Sequence, residues 1–269
     1  MLSATISTSR KVAVLLAGGS VYATAAFMTF QYLEMNKTDE VIQTKDNHIS
    51  HVSCPHRTDR FQTIASYYDR RIGWDEFFMG ISLLRRSLLY FHATGTVLEV
   101  GAGTARNLPY YPLGKSVRRV VLTDSCDQML EQAKLKIKKL PEADQKKFAI
   151  LQSDSHALPS EVIPDQAFDT VVDTFGLCSY NDPVVVLREM ARVCKPNGKI
   201  LLLEHGRSKS FPFVTNHLDR YAEYHAAKWG CVWNRDLDAI LEQSGLHVEI
   251  LRIWHFGTTY YVVCRPQKP

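Results

Sequence analysis

The run Val97-Leu98-Glu99-Val100-Gly101-Ala102-Gly103-Thr104 constrains the fold of this 269-residue chain more than any other stretch. Apolar residues that end in an acid and two closely spaced glycines read as a buried strand turning sharply into the next segment. Gly101 can take backbone angles that a Cβ would oppose, and Gly103 lets a ligand approach the main chain, with the amides of the turn pointing outward. That is the geometry of a nucleotide seat; the plainer reading is an ordinary glycine turn.

The residues downstream favour the seat. About twenty residues later, Arg119-Val120-Val121-Leu122-Thr123-Asp124 is a second apolar run ending in a carboxylate, at the spacing where an acid accepts hydrogen bonds from a ribose diol. Phe148 to Asp154, Phe168 to Asp173 and Gly198 to Glu204 repeat the pattern. Between them, Gln128 to Leu140 and Pro183 to Cys194 carry helical periodicity, the first through Met129, Leu130, Ala133 and Ile137, the second through Val186, Leu187, Met190 and Val193. Alternating strands and helices predict a parallel sheet covered on both faces, with a ligand crevice beyond the carboxyl ends of its strands. His247 to Ile253 and Thr258 to Cys264, joined by Trp254-His255-Phe256-Gly257, read as an antiparallel hairpin.

With these motifs in order, the chain resembles the class I methyltransferases that use S-adenosylmethionine, over roughly Phe61 to Arg265. Their first motif looks like Val97 to Thr104, their second-strand acid matches Asp124, and the acid after their third strand matches Asp154. The stretch Arg192 to Lys199 resembles their turn before the fifth strand. The resemblance implies an α/β fold: a Rossmann-like, seven-stranded, mostly parallel sheet with an antiparallel terminal hairpin. That hairpin and the missing third glycine disfavour a nicotinamide-dependent reductase. The resemblance also implies a cofactor, S-adenosyl-L-methionine, with Glu99 near its amine and Gly101, Ala102, Gly103 and Thr104 beneath it. Asp124, Ser125 and Met129, then Asp154 and Ser155, and Thr174 at the end of the fourth strand complete the expected contacts. One departure is Ala105, where many relatives have glycine. The stretch Ala65-Ser66-Tyr67-Tyr68-Asp69 is similar to an A-x-x-Y-D segment of quinone-biosynthesis methyltransferases that folds over the cofactor. It makes Tyr68 a further contact, against a plain core tyrosine. Arg85 and Arg86 are read either as partners of the cofactor carboxylate or as caps on a helix face. The surrounding segment, Phe61 to Leu89, reads as an amphipathic helix interrupted near Gly73.

Val12 to Leu33 contains no charged residue and is long enough to cross a bilayer as a single helix. The preceding residues 1–11 are rich in hydroxyls, end in Arg10-Lys11 and lack acids, traits of a mitochondrial targeting segment. A cleaved secretory signal fits less well, because the apolar run is long and Gln31-Tyr32-Leu33 is a poor cleavage site. The expected organisation is a targeting segment over 1–11, a membrane helix over 12–33, a polar tether over 34–60 and a methyltransferase domain over 61–269. The expected location is the mitochondrial inner membrane, with the endoplasmic reticulum membrane as the alternative. The basic flank, small in bias, favours an N-terminus on the matrix or cytosolic side, which for an inner-membrane protein puts the domain in the intermembrane space, with the matrix as the alternative. With the anchor, the chain looks most like the membrane-anchored mitochondrial Oms-type methyltransferase-like proteins.

The formal net charge of +4 is modest and does not call for nucleic acid. Lys134 to Lys139 reads as the solvated face of a helix, because no aromatic residues interleave it. The six cysteines are scattered, with no C-x-x-C pair and no histidines at zinc spacing, so no metal is expected and the thiols are read as reduced.

Methyl transfer asks mainly for alignment of nucleophile, methyl carbon and sulfur. A base is needed only for a protonated acceptor, and a neutral imidazole suits that task. His205 at the end of the fifth strand is the first choice, with His225 second and Asp173 as base or orienting group. The expected acceptor is a small molecule, quinone-like or lipid-like, or a protein. A contrasting reading keeps cofactor binding without transfer, in an assembly factor for a membrane complex.

Overall fold

Strands that are apolar at nearly every position need cover on both faces, and the computed structural model of the chain supplies it. The structure describes residues 57–267. The targeting segment, the membrane helix expected over 12–33, nearly all of the tether and Cys54 lie outside the described residues. Among the described residues, no helix is long and apolar enough to cross a membrane.

The described chain opens with helices α1 (Arg57–Phe78) and α2 (Ile81–His92), then β1 (Gly95–Glu99), β2 (Val117–Asp124) and α3 (Asp127–Ile137). A short helix α4 (Glu142–Gln145), β3 (Phe148–Gln152), β4 (Phe168–Thr174), α5 (Pro183–Val193) and β5 (Cys194–His205) follow. Three helices, α6 (Pro212–Arg220), α7 (Ala222–Trp229) and α8 (Leu237–Ser244), precede β6 (His247–Trp254) and β7 (Thr259–Arg265). The seven strands lie in the order β3-β2-β1-β4-β5-β7-β6. Strands β1 to β5 are parallel, whereas β7 pairs antiparallel with both β5 and β6. This is the Rossmann-like, mostly parallel sheet with a terminal hairpin that the sequence predicts.

Alternation along the strands divides the core into two layers. Leu98, Val171, Ile200 and Leu202 pack with Val186, Leu187 and Met190 of α5 and Ile240 and Leu241 of α8. Their neighbours Val97, Val172, Leu201 and Leu203 face the other way, onto Leu88 and Leu89 of α2 and Ala133 of α3. Local signals set the helix ends. The Asp182 side chain accepts the Val184 and Val185 amides to start α5, with Pro183 at its first turn, and Asp236 accepts the Ala239 amide to start α8.

Helix α1 corrects one expectation. It runs unbroken through Gly73, and the interruption falls at Gly80, whose φ of 65° turns the chain into α2. Gly73 has nothing within 4 Å of where a Cβ would stand, so it is tolerated in the helix and marks no break.

The strand order reverses direction between β1 and β4. The crevice at such a switch point, beyond the carboxyl ends of the strands, is where ligands of open α/β sheets sit.

Candidate active site

A cavity of about 420 Å³ occupies that crevice. Its wall includes all twelve residues expected to meet the cofactor: Tyr68, Glu99, Gly101, Ala102, Gly103, Thr104, Asp124, Ser125, Met129, Asp154, Ser155 and Thr174. The glycine turn makes its floor. Gly101 has φ of 56°, and a Cβ there would come within 2.3 Å of the Tyr180 hydroxyl. Gly103 has φ of 54° and open space where a Cβ would stand, so its backbone faces the cavity. Ala105, the residue that departs from glycine, also sits in the left-handed region at φ of 58°. The turn keeps its shape there at a cost in strain.

Three acids line this floor. Asp124 braces the turn, since its two oxygens accept the Gly103 and Cys126 amides, each at 2.8 Å. The Ser125 amide also bonds this carboxylate, which leaves a remaining lone pair for a ligand hydroxyl. Glu99 is buried and accepts from Asn107 Nδ2 at 3.0 Å and from the Tyr111 hydroxyl at 2.5 Å. Burial pushes its carboxyl up to about 7 against the pull of Tyr111, Arg85 and Asn107. Asp154 is exposed and accepts the His156 amide at 2.9 Å. Although partial burial opposes it, the amide and ring of His156 hold this carboxyl below its usual range.

Helix α1 closes one side through charge. Thr104 Oγ1 donates to Asp69 at 2.6 Å, and Arg106 pairs with Asp69 and, at 2.7 Å, with Glu76. Lys136 of α3 also pairs with Asp69. The lysine cluster is therefore a solvated face at Lys134, Lys138 and Lys139, whereas Lys136 reaches inward. Arg85 and Arg86 separate in the same way, the first buried and the second exposed. The Arg85 guanidinium donates to Asn107 at 2.9 Å, Thr174 at 2.6 Å and Glu76 at 2.8 Å, and lies 5.0 Å from the Phe175 ring centre.

None of the three catalytic candidates lines this cavity. The ring of His205 packs edge-on against Phe175, a wall residue, at 5.4 Å between centres, and its Nε2 stands 2.9 Å from Cys231 Sγ. His225 is farther off in role: its Nδ1 stands 3.0 Å from the Cys231 carbonyl, its ring stacks on Trp233, and burial pulls it down to about 4. Asp173 is fully buried; burial, with Cys178 beside it, raises its carboxyl far above the usual range. Glu204 is raised in the same way by burial and by Asp173. Burial thus favours the protonated form of both acids. The structure also places Phe61, Arg106, His156, Phe175, Tyr180 and Asn181 on the wall. Sequence offers no signal for Arg106 or His156, whose partners are set by the fold, whereas Tyr180 and Asn181 lie a few residues beyond Thr174 at the end of β4.

Whether the cavity fits S-adenosylmethionine can be judged from its donors. Open glycine backbone, an aspartate at the ribose position and a buried Glu99 beside an inward guanidinium suit a ligand that carries an amine, a carboxylate and a ribose. Arg85 Nε, buried without a hydrogen-bond partner, is a further donor.

Comparisons with known proteins agree. A family model described as a methyltransferase domain matches residues 98–202. The mitochondrial methyltransferase OMS1 of Saccharomyces cerevisiae is 34% identical over 220 residues, which cover 77% of this chain and 46% of the yeast protein. The ubiquinone/menaquinone biosynthesis C-methyltransferase UbiE of Citrobacter koseri is 28% identical over 190 residues, 66% of this chain and 70% of that protein. This chain thus spans less than half the length of the yeast relative. Among solved structures, the methyltransferase in complex with the Haloferax volcanii activator Trm112 shares the fold, with a TM-score of 0.58 at 17% identity over 77% of this chain and 98% of that one.

Proposed function

This chain belongs to the class I S-adenosylmethionine-dependent methyltransferases, and we propose that it methylates an apolar, quinone-like or lipid-like acceptor at a mitochondrial membrane. The observation that carries this reading is the cavity itself, in which an open glycine turn, Asp124, Glu99 and Arg85 converge at the switch point of the sheet. S-adenosylmethionine supplies a methyl group already activated on a sulfonium. The chain's share of the work is placement. In this reading Asp124 holds a ribose diol, Asp154 flanks the adenine side, Glu99 faces the amine and Arg85 the carboxylate. Tyr68 and Phe61 of α1 cover the bound ligand. Alignment of this kind supplies several kcal/mol of a barrier without acid or base. A protonated acceptor would need His205, one ring behind Phe175, to take its proton.

The apolar acceptor is supported by exposed aromatic residues on α1, the helix that closes one side of the cavity, and on the β6–β7 turn. Trp74, Phe77 and Phe78 of α1 are 67%, 67% and 56% exposed and pack on one another. The β6–β7 turn carries exposed Phe256, against which Phe211 packs at 5.7 Å, with Phe213 beside it. Thr259 pairs with His205 in register, so this turn borders the carboxyl edge of the sheet. Exposed aromatic groups beside a pocket suit a membrane-dissolved substrate. The membrane helix expected over 12–33 and the yeast relative's mitochondrial name agree with that location.

Calorimetric titration of S-adenosylmethionine and S-adenosylhomocysteine, with an Asp124→Ala control and NADH alongside, tests the cofactor half of the reading. Micromolar binding lost in the control supports it, and a folded protein that binds neither ligand overturns it. Radiolabelled methyl transfer to extracted mitochondrial lipids then tests the acceptor. The absence of catalytic candidates from the cavity wall favours one second reading, a cofactor-bound assembly factor that transfers no methyl group. Binding without any labelled product would select it.

A further inference from the structure

Three side chains from distant parts of the sequence converge behind the cavity wall. Cys178 follows β4, His205 ends β5 and Cys231 follows α7. Their two sulfurs and an imidazole nitrogen all lie within 4.8 Å of one another, and both thiols are buried. Methyl transfer as proposed for this chain uses neither thiol, and it calls on His205 only for a protonated acceptor, a role that metal binding at this imidazole would remove.

The convergence is held by contacts to the backbone around the three groups. The Val232 amide donates to the Cys178 carbonyl at 2.9 Å, which fastens the segment after α7 to the turn after β4. Arg235 donates to the Tyr180 carbonyl, and the His225 ring contacts the Cys231 carbonyl. Glu204, adjacent to His205, accepts the Gly176 amide at 3.2 Å. Both cysteines and the histidine are therefore positioned by contacts that do not involve their own ligand atoms.

Two thiolates and one imidazole are a soft donor set of the kind zinc prefers. Tetrahedral zinc, with bonds of about 2.3 Å to sulfur and about 2.0–2.1 Å to nitrogen, sets neighbouring donors roughly 3.5–3.8 Å apart. That spacing fits inside the 4.8 Å envelope. The 2.9 Å approach of His205 to Cys231 would open by roughly half an ångström or more as the ion took the place of a shared proton. Each thiol gives up its proton on binding, so two protons leave, and two thiolates balance the charge of the ion. A buried dication is thereby accommodated without adding net charge.

We propose that Cys178, His205 and Cys231 bind one zinc ion, with the fourth position open to a donor from outside the protein. The ion clips the segment after α7 to the ends of β4 and β5. Ser179, next to Cys178, and Phe175, packed on His205, both line the cavity. Zinc thus fixes the acceptor side of the cavity while leaving the glycine turn and its acids untouched.

Metal analysis of the full chain, purified in detergent under reducing conditions, tests the proposal directly. About one zinc per chain is expected, and cobalt(II) added to metal-stripped protein should give thiolate-to-metal charge transfer. Cys178→Ser and Cys231→Ser should each lose the metal by more than the roughly ten-fold that loss of an outer-shell contact costs. Cys194→Ser, a buried thiol at the opposite end of β5, should keep it. Binding of S-adenosylhomocysteine reports whether each variant has folded, and the wild-type protein decides the matter alone if they have not. Metal-free wild-type protein that gives no charge transfer with cobalt would overturn the proposal. So would a Cys178–Cys231 disulfide found by mass spectrometry, or an unchanged zinc content in both folded serine variants.

Discussion

The carboxyl edge of the sheet is built in two ways. On the side of β1, β2 and β3, the acids are bonded and line the cavity: Asp124 takes the Gly103 and Cys126 amides, Glu99 an amide side chain and a phenol, Asp154 the backbone and ring of His156. On the side of β4, β5 and β7, Asp173 and Glu204 are sealed in, with burial raising both carboxyls, and the groups around them are a phenyl ring, an imidazole and thiols. Directional polar contacts fix a charged ligand in one pose. A wall in which burial disfavours charge suits the uncharged acceptor proposed above, so the two halves match the two partners of the proposed transfer.

Arg85 joins these halves, and its removal should produce the largest effect. It ties Glu76 and Asn107 on one side to Thr174 and Phe175 on the other. Arg85→Ala strips one partner from a buried ion pair and should cost about 3–5 kcal/mol in denaturant unfolding; a loss under 1 kcal/mol would mean that the halves stand independently. Gly101→Val comes next. It forces a branched side chain into φ of 56° and against Tyr180, and should weaken cofactor binding about a hundredfold. Unaltered affinity in calorimetry would remove the glycine turn from the cofactor half.

Acidity offers a finer separation. Glu99 is raised from 4.5 to about 7 on folding, so the folded state holds this proton more tightly than the unfolded chain does. Its contribution to stability is therefore greatest below pH 4.5 and declines as pH climbs towards 7. A cationic amine beside it selects the ionised form. Cofactor affinity should accordingly rise about ten-fold per unit up to pH 7 and level off above, with proton release on binding. Glu99→Gln should flatten that profile, and a wild-type affinity that does not vary with pH would deny Glu99 its place at the amine. The smallest expected change is Ala105→Gly, which relieves a left-handed alanine and should add about 0.5–1 kcal/mol to stability with little effect on cofactor affinity.

The same division governs what can be read from sequence. The cofactor half follows from local rules: apolar runs, acids at strand ends and a glycine turn are each contained in a few neighbouring residues, and every expected contact reaches the cavity. The other half is assembled from afar. Cys178, His205 and Cys231 have no spacing in common, and the partners of Asp69 lie in other segments, Lys136 on α3 and Arg106 after β1. Pairing of that sort is decided by the fold. The break in the first helical segment is misplaced by sequence for a simpler reason: Gly73 and Gly80 look alike there, and only backbone conformation tells a tolerated glycine from a turning one.

The charged clasp of α1 has a consequence for timing. Phe61 and Tyr68 form part of the cavity wall, and the helix that carries them is held by Asp69 and Glu76 to Thr104, Arg106, Lys136 and Arg85. Any lifting of that helix must part several opposite charges together, and dissolved salt weakens such pairs where solvent reaches them. A catalytic cycle paced by departure of the spent cofactor would therefore quicken with ionic strength, while one paced by the methyl transfer itself would not.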